Sequence, residues 1–393
     1  MKLLTRTVWL LGFISLFNDV ASEMLYPVIP LYLQSIHFSV MFIGVLEGIA
    51  EATAGLTKGY FGKLSDNTGR RLPFVRLGYS LSAISKPMMA MFTFPLWIFT
   101  ARSLDRLGKG VRTGARDALL SGQATPESKG RVFGFHRGMD TLGAVLGPSL
   151  ALLYLLCFPG NYKALFYVAF IPGVVSIGCT FFIKEQRTTQ SVHPPKTRFF
   201  DFIRYWLHSP AQYRRLVTGL LLFALINSSD MFLILKIKSS GFSDQAAIGV
   251  YIFYNLVYAL LSYPLGGLGD RLGFKKVLIG GLLLFALVYA GMGMTNDIYI
   301  VFALFLIYGA YAAATDGISK AWISNITDAK DTATAIGTFN GFQSICSLLA
   351  SSLAGVIWYS AGPANLFNLT AAATVAVSIY LMVMVKNTRP NTN

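Results

Sequence analysis

Charge is scarce in this 393-residue chain: Asp, Glu, Lys and Arg make up 13% of it, against 54% hydrophobic residues. Soluble domains carry about 25% charged residues, so the chain holds roughly half of what a water-facing surface needs. Disorder is excluded by the same figures, because disordered chains are poor in hydrophobic residues. Three cysteines (Cys157, Cys179, Cys346), odd in number and set in apolar runs, build neither a disulfide framework nor a zinc spacing. Four scattered histidines (His37, His136, His193, His208) offer no metal cluster and no nucleophile–base constellation. Gly108-Lys109-Gly110 lacks the preceding glycine spacing and the following Ser or Thr of a phosphate-binding loop. An enzyme and a primary pump are therefore disfavoured, and neither a cofactor nor a metal is expected.

Long apolar runs dominate instead. A helix needs about 20 apolar residues to cross a bilayer. The runs at 8–33, 40–60, 75–94, 96–116, 131–156, 164–183, 215–237, 246–266, 277–293, 298–319, 332–357 and 362–385 predict twelve spans. The first is too long for a cleaved signal peptide and contains Asp19 and Glu23. A net charge of +15 would suggest nucleic acid in a soluble protein, but 25 of the 33 Lys and Arg fall in segments on one side of the predicted spans or at the span ends facing that side. Only Lys163, Lys236 and Lys238 fall on the other side or at the span end facing it, and Lys86, Arg102, Arg106, Lys109 and Arg137 lie deeper within spans. This positive-inside bias places both termini in the cytoplasm, with a lipid bilayer rather than nucleic acid as partner.

The longest polar stretch, Lys184 to Tyr213, divides the spans six and six. It predicts an N-terminal bundle over 1–183, a linker over 184–214 and a C-terminal bundle over 215–393. Within the linker, residues 199–207 mix aromatics with Arg204 and read as a short interfacial helix. An internal repeat joins the halves. Gly62-Lys63-Leu64-Ser65-Asp66-Asn67-Thr68-Gly69-Arg70-Arg71 returns as Gly266-Gly267-Leu268-Gly269-Asp270-Arg271-Leu272-Gly273-Phe274-Lys275, at an offset of 204. Gly114, Ala118, Gly134 and Gly138 return as Gly317, Ala321, Gly337 and Gly341, at an offset of 203. Two homologous six-helix halves form a transporter architecture: an all-α membrane protein of two pseudo-symmetric bundles.

These residues resemble the major facilitator superfamily over essentially the whole chain. Gly62-x-x-x-Asp66-x-x-Gly69-Arg70-Arg71 is similar to that family's signature between spans 2 and 3, and 266–275 to its weaker copy. Residues 102–110 resemble the fourth-span motif R-x-L-Q-G-x-G-x-G, with Asp105 in place of Gln and Arg106 in place of Gly. Gly138, Gly147 and Pro148 resemble the fifth-span motif of the antiporter branches. The resemblance implies that the signature cluster, Asp270 included, latches the halves and changes partners during a transport cycle.

Charges within spans carry the chemistry, since each costs at least about 2.5 kcal/mol at the bilayer centre. Asp19 and Glu23, four apart, share a helix face, and Glu47 and Glu51 repeat that spacing. Two carboxylates so close in a low dielectric do not both ionise cheaply, so such a pair can carry a proton. Arg102, Asp105 and Arg106 supply the counterpart in the fourth span. Arg137 is expected to pair with Asp140 or with the fourth span, and Pro27 and Pro30 to bend the first. Tyr251, Tyr254, Asn255 and Tyr258 sit at i, i+3, i+4 and i+7, one face of the eighth span. Hydroxyls facing lipid would lack partners, so this face is expected to line a central cavity. Asn18, Lys86, Asn227, Asp230, Tyr311, Asn340 and Gln343 complete the expected substrate contacts.

The reading is a monomeric, proton-coupled transporter of a small organic molecule in a bacterial inner membrane. Export by antiport is preferred on Gly138, Gly147 and Pro148; the alternatives are proton-symport uptake of a nutrient or metal chelate and, behind it, a non-transporting receptor. The cargo's charge stays open, because six acids in the first-half spans nearly balance five bases.

Overall fold

The computed structural model describes residues 4–26, 28–37, 40–185, 198, 201–228, 230, 232–233, 236–237, 244–295 and 297–385. All regular structure among them is helical: α1 (Arg6–Leu25), α2 (Val28–Ser35), α3 (Val40–Thr68), α4 (Leu72–Met91), α5 (Pro95–Gly122), α6 (Lys129–Cys157) and α7 (Tyr162–Thr180) come first. Then follow α8 (Asp201–His208), α9 (Ala211–Ala224), α10 (Asp244–Leu272), α11 (Phe274–Met294), α12 (Ile298–Asn325), α13 (Thr332–Ala361) and α14 (Pro363–Met384). Seven of the described helices are long and apolar enough to cross a membrane: α1, α6, α7, α11, α12, α13 and α14. Most of the chain's interior charges sit on the others, α5 above all, where Arg102, Asp105, Arg106, Lys109, Arg112, Arg116 and Asp117 share one helix. The architecture is that of an all-α membrane protein.

Helix limits differ from the apolar runs in several places. The first run is split, α1 ending at Leu25 and α2 beginning at Val28; Pro27 itself lies outside the described residues. The second run continues as helix to Thr68, so Gly62 and Asp66 are on the last turns of α3 rather than in a loop. The turn itself falls at Gly69, whose φ of 57° is one that a side chain disfavours; Gly273, its copy, has φ 91°. α5 runs on to Gly122, beyond the run's end at 116, and Arg112 and Arg116 on it are buried. α9 stops at Ala224, well before residue 237.

Contacts divide the chain into two compact units. The first comprises Met1–Gln123, Met139–His208 and Asp328–Gly341; the second comprises Ala124–Gly138, Ser209–Thr327 and Phe342–Asn393. In the first, α5 packs on α3 and α4, and α7 on α1 and α4. Small residues let backbones approach, as membrane helices need without a hydrophobic drive between them. A Cβ on Gly78 would lie 2.6 Å from the Gly108 carbonyl, and one on Gly147 would lie 2.7 Å from the Met24 nitrogen. A core of Val20, Met24, Leu25, Tyr32, Leu165 and Phe166 fills one end. In the second unit α10 and α11 pack on α12, and α14 on α11. Its centre is aromatic, with Phe285 and Tyr289 stacked at 4.0 Å and Phe367 set edge-on to Tyr289.

Candidate functional site: a buried charge cluster and two carboxylate-capped helix starts

Within the first unit, α4 and α5 bring three charges together. Lys86 Nζ lies 3.0 Å from Asp105 Oδ1 and 3.1 Å from Ser22 Oγ, while Arg102 Nη1 lies 3.3 Å from Asp105 Oδ2. Lys86 is 3% exposed and Arg102 6%, so the three make their contacts largely out of water. They line a pocket with Ser22, Leu25, Ile29, Ser85, Met89 and Phe166. Lys86, expected among the substrate contacts, and Arg102 and Asp105, expected in coupling, are therefore one cluster. Asp105 stands where the family motif has Gln, and it is the acid that both bases share. Arg106 is also buried.

On α1, Asn18 Nδ2 donates to Asp19 Oδ1 at 3.0 Å. Asp19 and Glu23 are partly buried, and α6 lies against this stretch: a Cβ on Gly143 would come within 2.8 Å of Asp19 Cβ. Glu47 and Glu51 fall on α3, but their side chains lie outside the described residues.

Two bases missing from the sequence-based site complete this wall. Arg112 Nη1 donates to Ser82 Oγ at 2.7 Å, and its guanidinium sits 4.5 Å from the centre of the Tyr79 ring. Arg116 pairs with Asp117 at 2.9 Å and donates to Ser15 Oγ at 3.1 Å. The signal was there to find, since 102, 106, 109, 112 and 116 follow one helix face.

The repeated signature motifs build one device twice. In the first unit, Asp66 Oδ2 accepts from the Thr334 backbone N at 2.7 Å and from Thr334 Oγ1 at 2.8 Å, in the opening turn of α13. Arg71 Nη2 donates to Asp66 Oδ1 at 3.3 Å and to the Ala329 carbonyl at 2.7 Å. In the second unit, Asp270 Oδ1 accepts from Gly130 N at 2.7 Å and Oδ2 from Arg131 N at 3.0 Å, in the opening turn of α6. Each carboxylate thus satisfies orphan amides at a helix start, where the dipole favours an anion. Glycines permit the approach: a Cβ on Gly62 would meet the Ala333 carbonyl at 2.5 Å, and Gly130 meets Gly266. Gly138 faces the Ala259 carbonyl, at 3.0 Å from an added Cβ. Arg70 is exposed, and Pro148 lies inside α6.

Burial pushes the Asp66 carboxyl up to about 6, against the pull of Arg71 and the Thr334 bonds. It does the same to Asp270, also to about 6, against the Arg131 and Gly130 amides. Both values exceed the usual 3.8, so this arrangement binds protons more tightly than a chain in which the two acids are solvated. Its stability should be full below about pH 4, fall as pH rises through about 6, and level off above. Thermal melts of the purified protein between pH 4 and 8 check this. Asp66→Asn together with Asp270→Asn should flatten that part of the profile.

In the second unit the aromatic face of α10 is hydrogen-bonded to acids. Tyr308 donates to Asp230 Oδ1 at 2.6 Å and Tyr254 to Oδ2 at 3.4 Å. Tyr258 donates to Asp316 Oδ2 at 2.6 Å, and Arg137 pairs with the same oxygen at 2.8 Å while also bonding to Tyr258. Arg137 therefore reaches Asp316, a partner that its spacing from Asp140 did not indicate. Asn227 Nδ2 donates to the Tyr311 hydroxyl at 3.1 Å. Tyr251 joins the stack 5.9 Å from Tyr254, and Asn255 turns its amide back onto the Tyr251 carbonyl at 3.0 Å. Asn340 is buried in the first unit, and Gln343 belongs to the second.

The profile of the Major Facilitator Superfamily matches residues 11–254 and 238–393. An uncharacterized MFS-type transporter of Methanocaldococcus jannaschii is 32% identical, over 90% of this chain and 89% of that protein. The staphyloferrin B transporter of Staphylococcus aureus is 25% identical, over 96% and 91%. Among solved structures, the human organic anion transporter MFSD10 superposes with a TM-score of 0.77 at 16% identity, covering 96% of this chain and 99% of that one.

Proposed function

The chain belongs to the Major Facilitator Superfamily, and from that premise we propose that it is a proton-coupled secondary transporter of a small organic molecule. The observation that carries this reading is the Lys86–Asp105–Arg102 cluster, buried yet lining a pocket. Charges this costly are kept inside a membrane protein where an ion or a substrate passes. Lys86 and Arg102 both line that pocket, and two bases there favour a cargo with an anionic group. The name organic anion transporter, borne by a protein similar in fold, agrees with that class.

Asp19 and Glu23 carry the proton. Asp66 and Asp270, seated on the starts of α13 and α6, act as the latch that must release for the site to open to the other side. The positive-inside count supports cytoplasmic termini in a bacterial inner membrane, and the repeat supports halves 1–183 and 215–393 rocking about a midplane site. Export by antiport is our preferred direction, on Gly138, Gly147 and Pro148. The test is proton flux in liposomes holding purified protein and a pH dye, challenged with organic anions, neutral molecules and organic cations. Anions should move protons outward-to-inward against cargo; flux in the same direction as cargo would mean symport, and cargo movement indifferent to pH would overturn proton coupling.

A further inference from the structure

The end of α9 leaves a group of oxygen atoms that the Lys86–Asp105–Arg102 pocket and the proton site on α1 do not use. Beyond Ala224 the Ile226 and Asn227 amides fold back onto the Phe223 carbonyl at 3.1 and 2.9 Å, so the helix does not run on through the polar residues that follow. Asp230 sits just past this point. Its carboxylate takes hydroxyls from Tyr308 and Tyr254 and makes no ion pair with any described base. Arg137, whose field reaches it, is engaged by Asp316 at 2.8 Å.

Beside Asp230, Asn227 Oδ1, Ser228 Oγ and the Tyr289 hydroxyl are buried without a hydrogen-bond partner. Ser228 is 5% exposed and Tyr289 0%, so water does not serve them freely; the Tyr289 hydroxyl lies near both Ser228 and Tyr308 but outside hydrogen-bond geometry. The bond from Asn227 Nδ2 to Tyr311 fixes the other end of that amide as an acceptor. An orphaned amide oxygen and a carboxylate with no described base beside it both accept a partner that carries positive charge. The carboxyl end of α9 adds its negative dipole, as interrupted helices do at ion sites.

The character of the partner follows from the donor set. All candidate ligands are hard oxygens, which suits an alkali or alkaline-earth ion over a transition metal. A single carboxylate balances one positive charge; a divalent ion would leave a second unbalanced in a low dielectric. A proton on Asp230 would serve one oxygen and leave Asn227 Oδ1 and Ser228 Oγ as they are. Tyr254 and Tyr308, 7% and 2% exposed with ring centres 5.0 Å apart, pack too closely to admit an organic ammonium group. We propose that Asp230, Asn227 and Ser228, with the hydroxyls of Tyr308 and Tyr289, bind a sodium ion at the end of α9. This goes beyond the proton site on α1 and does not rest on it.

Purified protein is melted in NaCl, KCl and choline chloride at equal ionic strength and fixed pH. Sodium should give a saturable rise of roughly 2–4 °C, absent in Asp230→Asn. Equal melting in all three salts, an equal rise with potassium, or a rise retained in Asp230→Asn overturns the site. Stabilisation that follows pH and ignores sodium also overturns it, in favour of a proton on Asp230. Should Asp230→Asn fail to fold, radioactive sodium binding to Ser228→Ala decides: about tenfold weaker affinity is expected, and unchanged affinity refutes the assignment.

Discussion

Asp19→Asn, or Glu23→Gln, should abolish pH-gradient-driven transport while leaving the protein folded and inserted. The two acids occupy one face of α1, four residues apart, so removing either charge leaves the other without the neighbour that makes a proton worth holding. Energetically the stake is the whole gradient. A tenfold proton gradient carried by one proton per cycle sustains about a tenfold cargo gradient, or about 1.4 kcal/mol. In either variant the cargo ratio should collapse to unity, with downhill exchange remaining. The folded state should survive, because Asn keeps a hydrogen-bonding side chain beside Asn18 and the contact of Asp19 Cβ with Gly143 is unchanged. Cargo accumulation in liposomes across an imposed pH gradient is the measurement. If both variants retain the wild-type pH response, the proton is carried elsewhere and the assignment to α1 is wrong.

Helical class and membrane character were readable because they depend on composition and run length, which a sequence states outright. The limits of the helices were less so. Apolar run length ends the fourth span at 116, yet α5 continues to Gly122 because its polar residues face other helices. Arg112 and Arg116, near the end of that run, were left out of the expected site, although the steps of 4, 3, 3 and 4 from Arg102 to Arg116 trace one helix face. The signature acids could be singled out, but their partners could not. Thr334 N, Gly130 N and Arg131 N are backbone amides at helix starts, and any residue type supplies an amide. Asp230 sits in an Asn227-Ser228-Ser229-Asp230 run, and four polar residues in an apolar stretch signal the end of α9 that the hydropathy of the flanks concealed.

Asp105 separates a role in the fold from a role in the path. Asp105→Ala leaves Lys86 and Arg102 buried without their shared carboxylate, and breaking a buried pair by removing one partner costs about 3–5 kcal/mol. A large fall in melting temperature is expected. Adding Lys86→Met should recover part of it, because one uncompensated base is then removed; a double variant as unstable as the sum of the singles would show that the 3.0 Å contact couples nothing. Asp105→Gln restores the residue of the family motif and keeps a hydrogen-bond acceptor for both bases, so its loss should be smaller than that of Asp105→Ala. It also adds one unit of positive charge to the pocket. For a cargo with an anionic group the ground-state affinity should then rise and turnover fall, since tighter binding of the resting complex does not speed the step that moves it. For a cationic cargo both should worsen. Apparent affinity and maximal rate, measured on the same liposomes for this one substitution, therefore report the sign of the cargo through a residue that the chain has changed from its family's pattern.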